Sequence, residues 1–384
     1  MTYYWREVDM PDVIVVGAGV VGAATAYYAA EAGLDVTVVD RGPVAGGTTG
    51  AGEGNVLVSD KEPGPELDLA LLSNELWRSL AGRIDFEFEA KGGLVVAETP
   101  AILEQLVELA AKQGVEHTVT RDVSAYEPHL TPDLVGGVFY PQDSQVQPML
   151  AAARLLSAAR ERFGGVRLRT GVDVTGFLLS DGGVRGVRTS AGDILAGAVV
   201  NAAGTWGGSV AELAGVRLPI LPRRGFILVT EPLREPLIRH KVYTAAYVTN
   251  VASDSEGLET SAVVEGTASG TVLIGASRER VGFDRTPSTT VLRRLAAQAT
   301  ALFPVLRDVR VIRTYCGFRP YCPDHLPVIG ADPRVPGLYH ACGHEGAGIG
   351  LAPATGRLLA QLLSEESPSM DLRPFRPDRF EEDR

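Results

Sequence analysis

Between residues 13 and 40 the sequence reads VIVVGAGVVGAATAYYAAEAGLDVTVVD, and its first glycines, Gly17, Gly19 and Gly22, fall at the spacing GxGxxG. Glycines so placed suit a phosphate cradle. The first permits a tight turn, the second lets the main chain come up to a pyrophosphate, and the third lets a helix pack close to a strand. Ala18, Val20 and Val21 complete the loop, and the free N–H groups of the helix that follows present a partial positive charge to the phosphates. Asp40 closes the next apolar strand, where a carboxylate can accept both hydroxyls of an adenosine ribose, and Arg41 stands beside it. A second glycine-rich segment, AGGTTGAGEGN (Ala45 to Asn55), brings Gly47, Thr48 and Thr49. A nicotinamide enzyme would place its next strand and helix sooner. A long Gly/Thr loop suits a larger cofactor whose middle is threaded past the backbone, which favours FAD over NAD; a flexible surface loop is the plainer alternative.

Further candidates lie towards the other end. Arg319, in the stretch Gly317-Phe318-Arg319-Pro320, offers a planar fork of donors that matches a carboxylate. The loop CGHEGAGIG places Gly343, Gly346, Ala347, Gly348 and Ile349 together with His344 and Glu345 just before a helix N-terminus. Such a loop favours negative charge, and against a flavin it would face the N1 and C2 carbonyl edge, where charge builds up on reduction. Tyr243 and Tyr247 carry hydroxyls that can reach a substrate, although such aromatics more often serve packing.

The elements that must position these residues follow from pattern. Val13–Val16 and Val36–Val39 read as strands around an Ala-rich helix ended by Gly33. Residues 66–82 and 100–113 read as helices, and 115–145 is rich in Pro and turn residues. Gln147 to Phe163 is an amphipathic helix with Pro148 in its first turn. The short strands VRLRT, VTGFLL, VRGVRT and DILA then lead to AVVNAAGTW (Ala198 to Trp206), predicting a meander that returns to a parallel strand. Val174, Ala203, Gly204 and Trp206 join the cofactor candidates there. From Arg223 to Asp284 the segments FILVT, YVTNV, AVVEG and TVLIGAS read as an antiparallel sheet with one face towards a ligand. A helix from Thr289 to Phe303 follows, and after the strand Leu338–Ala341 comes a helix with Pro353 near its start. The fold class is α/β: a Rossmann-type FAD-binding domain, with a parallel sheet and β-meander, built from 12–85, 146–215 and 310–370. An α+β substrate domain with an antiparallel sheet takes 86–145 and 216–309, and 371–384 is a tail.

With 384 residues, 45% hydrophobic and 22% charged, the chain can hold two domains with real cores. A formal charge of −11 argues against nucleic acid as a partner. No apolar run reaches the length of a transmembrane segment, and MTYYWREVDMPD lacks the order of a signal peptide, so a cytoplasmic protein is expected. Cys316, Cys322 and Cys342 form no CxxC pair, which argues against a metal site or disulfide scaffold. Only the charged tail from about Pro374 suggests disorder.

The dinucleotide unit, the Gly/Thr loop, NAAGTW, GFRPYCPDHLPVIG and GHEGAGIGLAPATG together resemble the D-amino acid oxidase superfamily of FAD enzymes, in the family's order over nearly the whole chain. Within it the chain looks most like the flavin β subunits of opine oxidases and D-hydroxyproline dehydrogenases. The resemblance implies oxidation of the C–N bond of a small amino or imino acid, of D-amino acid, N-substituted glycine, hydroxyproline or opine type, by hydride transfer from Cα to flavin N5. Arg319 matches the arginine that clamps the substrate carboxylate in a GLRP segment. Electrons would pass to companion flavin and iron–sulfur subunits, since three cysteines are too few for a Cys₄ cluster. In sarcosine oxidases a lysine over the flavin assists oxygen; the matching stretch Gly270–Gly275 has none, which tilts the reading towards a dehydrogenase. Cys316 falls near a cysteine that bonds the flavin in some of these enzymes, while a buried, unreactive thiol is the commoner explanation. The rivals are a peroxide-producing glycine/sarcosine-type oxidase, an electron-relay or assembly subunit without its own turnover and, third, an NAD-dependent dehydrogenase. No residue stands out as a base for the substrate nitrogen, and solvent can serve.

Overall fold

In the computed structural model, which describes residues 10–380, the predicted βαβ unit forms from β1 (Val13–Val16), α1 (Val20–Glu31) and β2 (Val36–Asp40). β1 lies inside a six-stranded sheet ordered Val328–Ala331, Leu338–Cys342, Ala198–Asn201, β1, β2, Val166–Thr170. All neighbours are parallel except Val328–Ala331, which runs antiparallel to Leu338–Cys342. Val13 and Val15 pack among the helices, whereas Ile14 and Val16 pack under the meander. A strand covered on both faces needs an unbroken apolar run, which is why VIVV does not alternate. The meander is Val174–Ser180, Gly183–Thr189 and Gly192–Leu195. VRLRT leaves it, pairing instead with β2 at the sheet edge.

On the other face lie α1 and the helices Pro65–Ala81, Pro148–Arg162 and Gly348–Leu363. Pro148 stands at the first helical position, and the Gln147 side chain caps the helix by accepting from Leu150 N at 2.6 Å. Pro353 falls within the last helix rather than at its start. It has no N–H for the Ile349 carbonyl, and the indole Nε1 of Trp77 donates to Ile349 O and Gly350 O at 3.1 Å each. Ser73 Oγ accepts the neighbouring Ala354 N–H at 3.2 Å. The helix Pro65–Ala81 therefore supplies the partners that the proline displaces.

The second sheet has eight strands, ordered Val311–Tyr321, Leu221–Thr230, Val272–Arg278, Glu259–Gly266, Lys241–Thr244, Gly93–Ala97, Gly136–Tyr140, Thr118–Thr120. Phe226 and Leu228 pack among the residues of the helix Thr289–Leu302, in one apolar cluster. Three corrections to the sequence reading arise here. YVTNV is not a strand but part of the short helix Ala245–Val251, where packing against the sheet overrides β-branched propensity. The strand Val311–Tyr321 pairs along its length with Leu221–Thr230, so the division proposed at residue 310 does not follow the sheets. The tail is ordered through residue 380: Phe375 is 0% exposed, and Arg379 Nε lies 2.6 Å from Asp324 Oδ2. Composition averaged over that segment hides the one aromatic that fills the core. Residues 1–9, read above for a leader, and 381–384 lie outside the described residues. No described helix is long and apolar enough to cross a membrane.

α1 and Gly348–Leu363 meet backbone to backbone, since a Cβ added at Gly356 would lie 2.6 Å from the carbonyl carbon of Ala24. Gly356→Ala should lower stability by about 1–3 kcal/mol, because main-chain atoms cannot step aside and the clash outweighs the gain of about 1 kcal/mol in helix propensity. Denaturant unfolding checks this through a lower midpoint at unchanged m-value; an equal or higher midpoint refutes the close crossing.

Candidate active site

The carboxyl ends of the parallel strands open into a cavity of about 410 Å³ between the two sheets, lined there by Val16, Val39, Asp40, Ala202 and Ala341. Open α/β sheets bind ligands at this edge. Each of the three fingerprint glycines has a distinct role. Gly17 has φ +116, and a Cβ on it would meet Ala202 O at 2.4 Å, so it makes the turn. A Cβ on Gly22 would fall 1.9 Å from Gly17 O, so it sets the helix against that turn. A Cβ on Gly19 would meet only Thr49 Oγ1, at 3.1 Å, and would otherwise project into the cavity. The N-termini of α1 and of Gly348–Leu363 both open there, and neither first turn carries an acid.

At one end Asp40 is held by two backbone donors, Ala18 N to Oδ2 and Gly42 N to Oδ1, both at 2.7 Å, which leaves each oxygen further acceptor capacity. The Arg41 guanidinium lies 4.2 Å above the Trp206 ring. In the middle Thr48 and Thr205 both donate to Phe318 O, at 2.7 and 2.8 Å, tying three distant segments together. Gly47 passes Trp206 so closely that a Cβ would lie 3.2 Å from its ring.

The other end carries charge. Arg319 Nη1 donates to Ser277 O at 2.8 Å. Buried Arg278 is pushed down to about 10, by burial first and by the charge of Arg319 next. Arg223, also fully buried, faces Glu345 Oε2 at 3.5 Å, while Glu345 Oε1 lies 2.9 Å from His325 Nδ1. That hydrogen bond to Glu345 is the first cause raising His325. His344 is 4% exposed, and burial lowers it to about 3, so its ring is neutral at ordinary pH. Thr355 Oγ1 donates to Leu351 O at 2.9 Å and so accepts from His344 Nε2–H at 3.0 Å, which leaves Nδ1 as an acceptor. Tyr247 is buried in the wall, and burial raises its hydroxyl.

Of the residues expected from sequence, Gly17, Gly19, Val20, Val21, Asp40, Arg41, Gly47, Thr48, Thr49 and Val174 line the cavity. So do Ala203, Gly204, Trp206, Tyr247, Gly317, Arg319, His344, Gly346, Gly348 and Ile349. Ala18 and Gly22 stand behind the lining. Gly343 turns against Ile220 and Val328, and Ala347 is the helix cap; neither faces the cavity. Tyr243 is core, its hydroxyl bound to Ser59 Oγ. The side chain of Cys316 packs in the helix-side cluster away from the cavity, where burial raises its thiol. Sequence reasoning missed Gly225, Ile227, Arg285 and, above all, Glu53. The visible signal for Glu53 was an acid enclosed by small residues in AGGTTGAGEGN.

The family model described as DAO, FAD dependent oxidoreductase, matches residues 12–362. The chain belongs to that family. It is 32% identical to a glycine oxidase of Pseudomonas aeruginosa over 95% of this chain and 98% of the relative. It is 31% identical to the hydrogen cyanide synthase subunit HcnC of the same species, over 96% of both chains. Among solved structures, glycine oxidase from Geobacillus kaustophilus superposes with a TM-score of 0.86 at 27% identity, covering 96% of this chain and 99% of that one. L-proline dehydrogenase from P. horikoshii gives 0.87 at 25%, covering 97% and 98%.

FAD is the family's cofactor, and the residues fit it: a glycine cradle whose missing Cβ leaves cavity space, two helix N-termini without acids, and a carboxylate with spare acceptor capacity. Gly19 has φ −73, which valine can adopt. Gly19→Val should therefore fold, by far-UV circular dichroism, yet purify without the flavin absorbance band. Stoichiometric flavin in that variant would remove Gly19 from the cradle.

Proposed function

We propose that the chain oxidises the C–N bond of a small amino or imino acid, of D-amino acid, N-substituted glycine, hydroxyproline or opine type, whose carboxylate Arg319 holds. The observation that carries this reading is that Arg319 faces the cavity and makes one side-chain hydrogen bond, to a carbonyl, and no ion pair among the described residues. A half-buried guanidinium without an anion favours a ligand that brings one. Arg223 and Arg278 add positive potential, partly offset by Glu345 and Glu259. Relatives named glycine oxidase and a neighbour named L-proline dehydrogenase support amino and imino acids as the substrate class.

In this reading Gly17, Gly19 and the two helix N-termini hold the pyrophosphate of FAD, Asp40 its ribose, and Gly346, Gly348 and Ile349 the ring edge. Bound there, FAD supplies the two-electron acceptance that the side chains lack. The chain's own contribution is orientation and field. Arg319 fixes the carboxylate through parallel hydrogen bonds, and the walls exclude water. His344 is neutral and offers Nδ1 as an acceptor, while Tyr247 keeps its proton. Positioning of this kind suffices where the cofactor carries the chemistry.

Electrons pass to an acceptor other than oxygen, such as a companion subunit with flavin or an iron–sulfur cluster. The absence of lysine from Gly270–Gly275 supports this, as does a relative named as a subunit. The relatives named glycine oxidase favour the second reading, a peroxide-producing oxidase.

Arg319→Ala should cost about 3 kcal/mol, or some hundredfold in kcat/KM, for whichever amine bleaches the flavin in an anaerobic screen, and Arg319→Lys should recover little. Near-normal turnover of Arg319→Ala excludes the clamp, and loss of flavin reassigns Arg319 to the cofactor. For the acceptor, stopped-flow reoxidation in air-saturated buffer should be slower than turnover coupled to an artificial dye; reoxidation as fast as dye turnover makes the protein an oxidase.

A further inference from the structure

Glu53 lines the same end of the cavity as Arg319 and is 7% exposed. Its carboxylate is used unevenly. Oε2 accepts from Lys241 Nζ at 3.1 Å and from Asn55 Nδ2 at 2.9 Å. Oε1 is buried and has no hydrogen-bond partner among the described residues. The two donors on Oε2 fix the side chain, and Lys241 is itself held by Glu265 Oε2 at 2.8 Å and by Asn55 Oδ1. Burial lowers Lys241, but Glu265 and then Glu53 more than offset this and raise it above the ordinary lysine value. The cluster thus fixes Glu53 with one oxygen lacking a donor, a condition that native structures avoid unless something else fills the gap.

Oε1 and the Arg319 guanidinium converge on one face of the eight-stranded sheet. Gly225 and Ile227 sit two residues apart on the strand Leu221–Thr230, about 7 Å, and both line the cavity. A Cβ added at Gly225 would lie 2.3 Å from Arg319 Nη1. A Cβ added at Gly275 would lie 2.5 Å from Glu53 Oε1 and 3.1 Å from Ile227 Cδ1. Two glycines on adjacent strands therefore make room for one cation and one anion side by side.

We propose that Glu53 Oε1 receives the substrate's amino N–H while Arg319 receives its carboxylate, so that Glu53 selects ligands with a hydrogen-bond donor on Cα, and Lys241 and Asn55 are positioning residues behind it. This rests on the carboxylate role of Arg319, and the test separates the two. Two ligand pairs differ only in nitrogen against ether oxygen: sarcosine with methoxyacetate, and proline with tetrahydro-2-furoate. Half-saturating concentrations are read from anaerobic bleaching for the amines and from perturbation of the flavin spectrum for the ethers. In the wild-type holoenzyme an amine should bind at least tenfold more tightly than its ether, because an ether oxygen presents a lone pair to Oε1. Glu53→Gln should erase that preference, with the ether binding at least as well as before, since the amide can turn a donor to it. Arg319→Ala should weaken amine and ether alike. If Arg319→Ala leaves the ethers unaffected, the carboxylate role fails while the Glu53 comparison stands. A wild-type protein that prefers neither amine over its ether, or a Glu53→Gln protein that keeps the preference, overturns the proposal. The wild-type comparison holds even if Glu53→Gln loses its flavin.

Discussion

At Gly22 the first helix begins directly against the turn that leaves the first strand, and at Gly356 the last helix crosses the first with no side chain between them. Backbone on backbone is the tightest packing a chain allows, and only glycine permits it at these two places. The approach at Gly22 sets where α1 starts, and so where its free N–H groups point. The crossing at Gly356 brings the N-terminus of Gly348–Leu363 into the same cavity. With both ends fixed, the loops between them have little freedom. Thr48 and Thr205 bind the carbonyl of Phe318, and this places Arg319. The repairs to the last helix by Trp77 and Ser73 belong to the same requirement, since a proline kink would shift the crossing.

Charge is the second constraint, and it is distributed unevenly. Arg223, Arg278, Lys241, Glu53 and Glu265 are all nearly inaccessible to solvent. Burying such groups is costly unless each finds a partner. Lys241 is matched by two carboxylates and Arg223 faces Glu259 and Glu345; Arg278 donates to the carbonyl of Asn250, and Glu53 is matched on one oxygen only. At the cavity wall itself the groups left without an opposite charge or a donor are Arg319 and Glu53 Oε1. A field able to orient a ligand is thus the imbalance left by folding, concentrated where the chain has no groups of its own to cancel it.

Much of this was legible in the sequence. The βαβ unit and the glycine loops are local patterns whose spacing is dictated by geometry, so the turn at Gly17, the close packing at Gly22 and the strand end at Asp40 could be read before any contact was known. Arg319 depended on its GFRP setting. Glu53 could not be read in the same way, because the residues that give it meaning are distant: Lys241 is 188 positions away. Tyr243 and Tyr247 looked alike in sequence, and a strand that ends between them sends one into the core and the other to the cavity. The tail was misread because one aromatic, Phe375, decides its place while the surrounding charges dominate its composition.

The order of strands in the parallel sheet has a consequence for synthesis. β1 lies between residues 36–40 on one side and 198–201 on the other, and the next strand outward is 338–342. The glycine turn is made early by the ribosome, yet the helix that closes the cavity comes from residues 348–363. Until residues 198–201 emerge, the apolar residues of β1 have one of their two sheet neighbours or none, and the nascent chain must be kept from pairing that edge with another chain. The cavity is then complete only once residues 348–363 have emerged. The cofactor would act as a clamp on sheets and helices already assembled and not as a template for their assembly.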